Sequence, residues 1–252
     1  MNIKLKNQHV LVTGGSRGIG KAIVYSLVEA GARVAVHYFK SEEAIKKMES
    51  ELGSDVSFFK ADLEDALEVN SLFNEVRNSF GKIDTIVNNA GIAINSNIND
   101  EEVKWLDDWL KTMDVNLNAV GLLCKKAINH FLEIGGGRII NIASRAAHRG
   151  DTPEYMAYAA SKGGVVAITK TIARAYGKQG IRAFTVAPGF VSTDMTQMFI
   201  KEYGEEIVKR NIKLERITEP EDIANMVTFL ASGLADHATG QTFDINAGSY
   251  VR

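Results

Sequence analysis

Tyr158 and Lys162 stand four positions apart in Tyr158-Ala159-Ala160-Ser161-Lys162, so on a helix both side chains leave the same face. A free tyrosine titrates near about 10, too high for a good base at neutral pH, and a neighbouring cation favours the phenolate and lowers that value. Ser144 follows the apolar run Ile139-Ile140-Asn141-Ile142-Ala143. A serine hydroxyl next to such a phenol would hydrogen-bond an oxygen on which charge develops while the phenol gives or takes its proton. That is the chemistry of a carbonyl becoming an alcohol, or the reverse. Tyr155 has Ala159, not a lysine, one turn later, and Ser161 sits inside the helix, so neither is preferred. The histidines are scattered, without metal-ligand spacing, and no metal is expected.

Such a site needs a hydride donor and elements to hold it. Short β-branched runs alternate with amphipathic segments, the pattern of a parallel sheet covered by helices on both faces. The strands read as His9 to Thr13, Arg33 to Tyr38, Val56 to Lys60, Ile83 to Asn88, Arg138 to Ile142, Arg182 to Ala187 and Thr242 to Ile245. A helix from Gly18 to Ala30 follows the first strand, with Ile19, Ile23, Leu27 and Val28 at helical spacing and Gly31 as its stop. Between them lies Thr13-Gly14-Gly15-Ser16-Arg17-Gly18-Ile19-Gly20. There Gly14 makes the turn, Gly18 lets backbone approach a pyrophosphate, and Gly20 packs helix on strand, with the helix N-terminus facing the anion. The spacing is TGxxxGxG rather than the commoner GxGxxG. Asn88-Asn89-Ala90-Gly91 closes the fourth strand at the carboxyl edge of the sheet, where open α/β sheets bind ligands.

TGxxxGxG, then NNAG, Asn116 in Asp114-Val115-Asn116-Leu117, Ser144 and YAASK in that order resemble the short-chain dehydrogenase/reductase family over essentially the whole chain. The resemblance implies a single Rossmann-like doubly wound domain over residues 1–252, with a seven-stranded parallel sheet and a substrate lid near 190–217. It implies an NAD(P)-dependent oxidoreductase in which Tyr158 is the acid/base, Ser144 polarises the carbonyl, Lys162 orients the cofactor ribose and tunes Tyr158, and Asn116 holds a water linking Lys162 to solvent. The cofactor would lie against Gly14, Ser16, Arg17, Gly18, Ile19 and Gly20, against Tyr38, Lys40, Asp62 and Leu63, and against Asn89, Ala90 and Gly91. Pro188, Gly189, Val191 and Thr193 match the family's nicotinamide-side loop. Asp62 corresponds to its adenine-side acid, although a helix N-cap accounts for it equally well.

The second strand ends His37-Tyr38-Phe39-Lys40 without the acid that would bind the ribose hydroxyl of NAD. Arg17 and Lys40 would pair with the extra phosphate of NADP, so NADP(H) is preferred and NAD(H) remains open. The likeness extends to 3-oxoacyl-acyl-carrier-protein reductases, which reduce a β-keto thioester. The alternative substrate is a keto sugar or keto-sugar acid such as a deoxy-keto-uronate. The basic residues Arg145, His148 and Arg149 after Ser144 would clamp an anionic substrate, or form a solvated loop with Arg149 paired to Asp151. Met195, Met198 and Phe199 would give the lid an adaptable apolar wall, with Lys201, Glu202, Glu205 and Glu206 exposed. A non-catalytic dinucleotide sensor of the same fold would be free to lose Tyr158 or Lys162, and both are present.

A chain of 252 residues, 45% hydrophobic, suits one large core. Its net charge of −2 leaves no excess positive field for nucleic acid. The lone Cys124 reads as a small buried side chain, and the N-terminus is neither a secretion signal nor a membrane span, which points to the cytoplasm. The helix after Val115 is apolar over a wide arc (Leu117, Val120, Leu122, Leu123, Ile128, Phe131). That breadth suggests burial against another subunit, and the family likeness implies a homotetramer.

Overall fold

The computed structural model describes residues 3–252, apart from the side chains of Met195, Met198, Phe199, Glu202, Tyr203, Glu205 and Lys209. Its sheet holds β1 (His9–Val12), β2 (Arg33–Tyr38), β3 (Val56–Lys60), β4 (Thr85–Asn88), β5 (Gly137–Ile142), β6 (Ile181–Pro188) and β7 (Thr242–Ile245). All pairs are parallel, in the order β3-β2-β1-β4-β5-β6-β7. This is a doubly wound sheet whose strand order reverses between β1 and β4, which opens a crevice at their carboxyl ends. The strands expected from sequence all form, with ends differing by a residue or two. Ile83 lies outside β4, its N–H donating to the His130 Nε2 at 3.0 Å.

Alternation along each strand divides the core in two. On one face Leu11, Ile86, Ile139 and Ala183 meet Leu72, Phe73 and Val76 of α3 (Ala66–Phe80), Leu123 and Phe131 of α5 (Ala119–Ile134) and Val165 of α7 (Met156–Tyr176). On the other, Val10, Val12, Val36, Val87 and Phe184 meet Ile23 and Leu27 of α1 (Gly18–Glu29) and Val227 and Leu230 of α10 (Pro220–Ala231). Met48 of α2 (Glu42–Leu52) completes that layer. Strands buried on both faces explain their near-continuous apolar sequence. Cys124 is fully inside, as expected, and burial pushes its thiol up to about 12.

The remaining helices sit at the ligand edge. They are α4 (Glu102–Met113), the single turn α6 (Ala146–Arg149), α8 (Asp194–Tyr203) and α9 (Glu205–Asn211). The excursion carrying α8 and α9 leaves and rejoins the body at one point, where Val191 bridges Thr218 and the Ser192 N–H donates to the Thr218 carbonyl at 2.9 Å.

Candidate active site

The glycine turn between β1 and α1 is built by close approach. Gly14 has φ +64°, and a Cβ on Gly20 would lie 2.1 Å from the Gly14 carbonyl oxygen and 2.5 Å from the Asn89 Nδ2. No other residue fits there. The Asn89 amide donates to the Thr13 and Gly14 carbonyls at 2.9 and 3.1 Å, and the Asn89 and Ala90 N–H groups both donate to the Thr13 hydroxyl at 3.0 and 3.1 Å. NNAG is therefore a latch that locks β4 to the turn rather than a self-capped bend. Its other member, Asn88, faces inward, donating to the Asn141 Oδ1 at 2.7 Å, and Asn141 donates to the Thr169 hydroxyl at 2.9 Å. Thr13, Asn141 and Thr169 belong to the site's frame; Thr13 opens the TGxxxGxG turn, whereas nothing in the local sequence marks Asn141 or Thr169.

His37 braces the turn from β2. The Gly14 N–H donates to its Nδ1 at 3.1 Å, so that nitrogen is unprotonated, and Nε2–H then donates to the Ala61 carbonyl at 3.0 Å. Burial lowers its pKa, in keeping with a neutral ring. Ser16 is buried, Ile19 in the first turn of α1 packs against the core, and Arg17 is the exposed N-cap of α1, its Nη1 3.4 Å from an Asp194 oxygen on α8. Tyr38 ends β2, and Lys40 lies 4.8 Å over the Phe39 ring, both on the rim where the second strand leaves the sheet. Leu63 is buried, whereas Asp62 accepts from the Glu64 N–H at 2.9 Å in a local turn. The N-cap of α3 is Asp65, which accepts from the Leu67 N–H at 2.7 Å, so the capping alternative for Asp62 does not hold.

Ser144, Tyr158 and Lys162 converge from β5 and α7. The Ser144 hydroxyl bonds the Tyr158 side chain and also accepts from the Ala146 N–H at 3.1 Å, starting α6. The Lys162 Nζ lies 5.7 Å from the centre of the half-buried Tyr158 ring and donates to the Ile142 carbonyl at 2.9 Å. Burial is the dominant influence on both groups. It pushes the Tyr158 phenol up to about 12, with the Asp151 charge adding and the Ser144 hydrogen bond opposing. It pushes the buried Lys162 ammonium down to about 8. The sequence expectation of a phenol lowered by its lysine is thus corrected, because desolvation of the phenolate is the largest influence on the group.

Asn116 lies on a π-helical turn, Asp114–Asn118, between α4 and α5, and such single turns recur at functional sites. Its side chain is committed to Ile92, accepting from the N–H and donating to the carbonyl, each at 2.8 Å, and it also donates to the Ser161 hydroxyl at 3.2 Å. Ser161 is thus a brace for Asn116 and donates to the Tyr158 carbonyl at 2.7 Å. A Cβ on Gly91 would stand 3.2 Å from the Lys162 Nζ and 3.3 Å from the Asn116 Oδ1. Gly91 therefore preserves the gap where these two groups meet.

Pro188 ends β6 and Gly189 follows it, with the Pro188 carbonyl accepting from the Arg145 N–H at 2.9 Å, while Val191 is buried and Thr193 precedes α8, its hydroxyl donating to the Val191 carbonyl at 3.3 Å. The basic residues after Ser144 diverge. Arg145 is buried with its guanidinium 4.1 Å over the Phe190 ring, Arg149 lies 3.7 Å from Asp151, and His148 stacks on Tyr250 of the C-terminal segment. They do not form one clamp. The side chain of Met195, and those of Met198, Phe199, Glu202 and Glu205 expected on the lid, lie outside the described residues; Lys201 and Glu206 are exposed. Among the described residues no cluster of His, Cys, Asp and Glu has metal-holding geometry, and no helix is long and apolar enough to cross a membrane.

A dinucleotide-binding turn at the reversal of a parallel sheet, beside a serine, a tyrosine and a lysine in mutual reach, defines an NAD(P)-dependent oxidoreductase acting on carbonyl or hydroxyl groups. The chain belongs to the short-chain dehydrogenase/reductase family. A family model described as enoyl-(acyl carrier protein) reductase matches residues 14–249. The chain is 40% identical over 245 residues to a 3-oxoacyl-[acyl-carrier-protein] reductase of Staphylococcus aureus, covering 96% of this chain and 97% of the relative. It is 38% identical over 249 residues to one of Synechocystis, covering 97% of each. Among solved structures it resembles a dehydrogenase/reductase of Sinorhizobium meliloti, with TM-score 0.91 at 33% identity over 99% of this chain and 98% of that one. The structure of gox2181 matches with TM-score 0.89 at 31% identity, over 98% and 96% of the two chains.

Proposed function

We propose that this enzyme reduces a 3-oxoacyl-type ketone with NADPH, with Tyr158 as the proton donor and Ser144, Lys162 and Asn116 as its supporting groups. The observation that carries the reading is the meeting of the Ser144 hydroxyl and the Tyr158 phenol at one point, with the Lys162 ammonium behind them. The bound nicotinamide supplies the hydride. A phenol that holds its proton up to about 12 stays protonated until an alkoxide forms beside it, and then gives that proton up. Ser144 donates to the same oxygen and stabilises the charge as it develops. Lys162 holds the cofactor ribose, and Asn116 keeps the π-turn that borders Lys162 open. The family model's description names an enoyl reductase, but two hydroxyls converging on one oxygen suit a carbonyl rather than a carbon–carbon double bond.

The residues fit a dinucleotide. The crowding at Gly20 leaves the start of α1 bare of side chain, and Gly91 holds a gap that a Cβ would fill. Arg17 and Lys40 favour the NADP phosphate, with no acid at Tyr38 to repel it. Residues 190–217, hinged at the Val191–Thr218 bridge, serve as the substrate lid. The reading includes a cytoplasmic homotetramer. Its support is a hollow of about 470 Å³ on α5 and α7, lined by Leu117, Gly121, Leu122, Gly164 and Ile168.

The test is NADPH oxidation with acetoacetyl and crotonyl thioesters side by side. Tyr158→Phe is expected to lose more than a hundredfold in turnover while NADPH binding holds, and Tyr155→Phe to lose far less. Similar turnover in the two variants, or faster crotonyl reduction by the wild type, overturns the reading. For the cofactor, Arg17→Ala is expected to weaken NADPH several-fold more than NADH in fluorescence titration. An unchanged ratio removes Arg17 from phosphate recognition.

A further inference from the structure

Of Arg145, His148 and Arg149, the three basic residues on the turn after Ser144, Arg145 is the most deeply buried and pairs with no carboxylate among the described residues. Only 4% of it is exposed, and no carboxylate lies within ion-pair distance of it among the described residues. Its Nη1 is buried with no hydrogen-bond partner, while its guanidinium stacks 4.1 Å over Phe190. A buried cation with an unsatisfied donor is costly unless an acceptor arrives. The cost shows in its acidity, which burial and the nearby Arg149 push down to about 10, leaving the group charged at neutral pH. Stacking on Phe190 offsets part of this cost but satisfies no N–H.

Its position ties it to the chemistry. Its N–H bonds the carbonyl of Pro188, its neighbour Ser144 bonds Tyr158, and Phe190 lies two residues past Pro188 on the loop that leads to α8. The Asp151 charge acts on both Tyr158 and Arg145, so the two side chains share one electrostatic neighbourhood. The charge count there is simple. Asp151 lies against Arg149 at 3.7 Å, and Asp244 holds Arg252 at 2.9 Å. His148, facing Tyr250 with Arg252, Asp244 and Lys170 near, is held towards its neutral form by burial. Among the described residues Arg149 and Arg252 each face a carboxylate, and Arg145 faces none.

We propose that Arg145 is a specificity-determining residue whose free guanidinium edge receives the carboxylate of an oxo-acid substrate held at Ser144 and Tyr158. The unpartnered Nη1 edge of a planar guanidinium suits the planar carboxylate. The proposal rests on the carbonyl-reductase reading and adds that the free 3-oxo acid, whose carboxylate a thioester masks, is the form that Arg145 recognises.

The experiment compares acetoacetate with methyl acetoacetate, the same ketone with and without the charge, at saturating NADPH. Wild-type kcat/KM is expected to favour the acid at least tenfold, and Arg145→Met to lose at least tenfold more on the acid than on the ester, mainly in KM. Arg145→Lys should recover part of the loss. The NADPH dissociation constant of Arg145→Met should match wild type, which separates a substrate carboxylate from a cofactor phosphate as the anion. A second readout needs no turnover. Butyrate, a carboxylate without a ketone, should raise the melting temperature of the NADPH-bound wild type and not that of Arg145→Met. An ester preferred by wild type, equal losses on acid and ester, a weakened NADPH, or butyrate without effect on wild type each overturns the proposal. The last measurement stands even where Arg145→Met does not fold. A wild type that reduces neither ketone nor the acetoacetyl thioester, yet is stabilised by butyrate through Arg145, instead sinks the carbonyl-reductase reading and leaves the anion site standing.

Discussion

Lys162 shows what the site costs. Buried beside Tyr158 and donating to the Ile142 carbonyl, its ammonium has a pKa lowered from 10.5 to about 8. Between those two values the unfolded chain binds a proton that the folded chain does not, so this residue makes stability rise with pH from about 8 to 10.5. Below about 8 the full penalty is present. Lys162→Met is therefore expected to be more stable than wild type at pH 7, on the order of 2 kcal/mol, and to have lost nearly all turnover. Urea unfolding at pH 7 and 10 checks this, and the advantage should shrink at the higher pH. An advantage that does not change with pH contradicts the assigned cause. Tyr158 and Lys162 were both legible in sequence because one helical turn brings them together. The direction of the tyrosine shift was not, since it depends on how deeply the fold buries the phenolate.

Among the elements, the contact between the first strand's turn and the fourth strand carries most of the cofactor site. Thr13 accepts two N–H groups from residues more than seventy positions away, and its own hydroxyl lies 3.5 Å from the Val87 carbonyl. Thr13→Val keeps the shape and removes that acceptor, leaving two N–H groups without it. We expect a loss of about 2 kcal/mol in urea unfolding and a several-fold weaker NADPH dissociation constant. Unchanged values would mean that water replaces the hydroxyl and the latch is not needed. The glycines and NNAG stood out in sequence because the turn dictates its own residue types. The role of Thr13 as an acceptor, and His37, Asn141 and Thr169 altogether, did not, because their partners come from other strands and helices. Asp62 and Asp65 illustrate the same limit at short range. Either would cap α3 by sequence, and the path of the chain out of β3 selects Asp65.

For the molecule as a whole, the face formed by α4, α5 and α7 is the candidate subunit interface. Leu106 and Leu110 of α4 are exposed, Trp105 and Trp109 stack beside them, and the hollow at Gly121 and Gly164 adjoins α5 and α7. A Cβ added at Gly121 meets nothing within 4 Å in the isolated chain, so a side chain there does not disturb the fold itself. Gly121→Arg is expected to leave a folded, NADPH-binding protein of lower mass by light scattering, since a charge would be driven into the apolar contact. An unchanged mass would place the interface elsewhere. Fold class and strand order of appearance were readable from the linear chain, as was the shared helix face of Tyr158 and Lys162, because periodicity and short-range spacing are set by local geometry. The fates of Arg145, His148 and Arg149 were not. Three basic residues on one short turn look alike in sequence, yet the packing of that turn between Phe190, Tyr250 and Asp151 sends each to a different partner, because side-chain direction around a turn is resolved only by the surfaces that close over it.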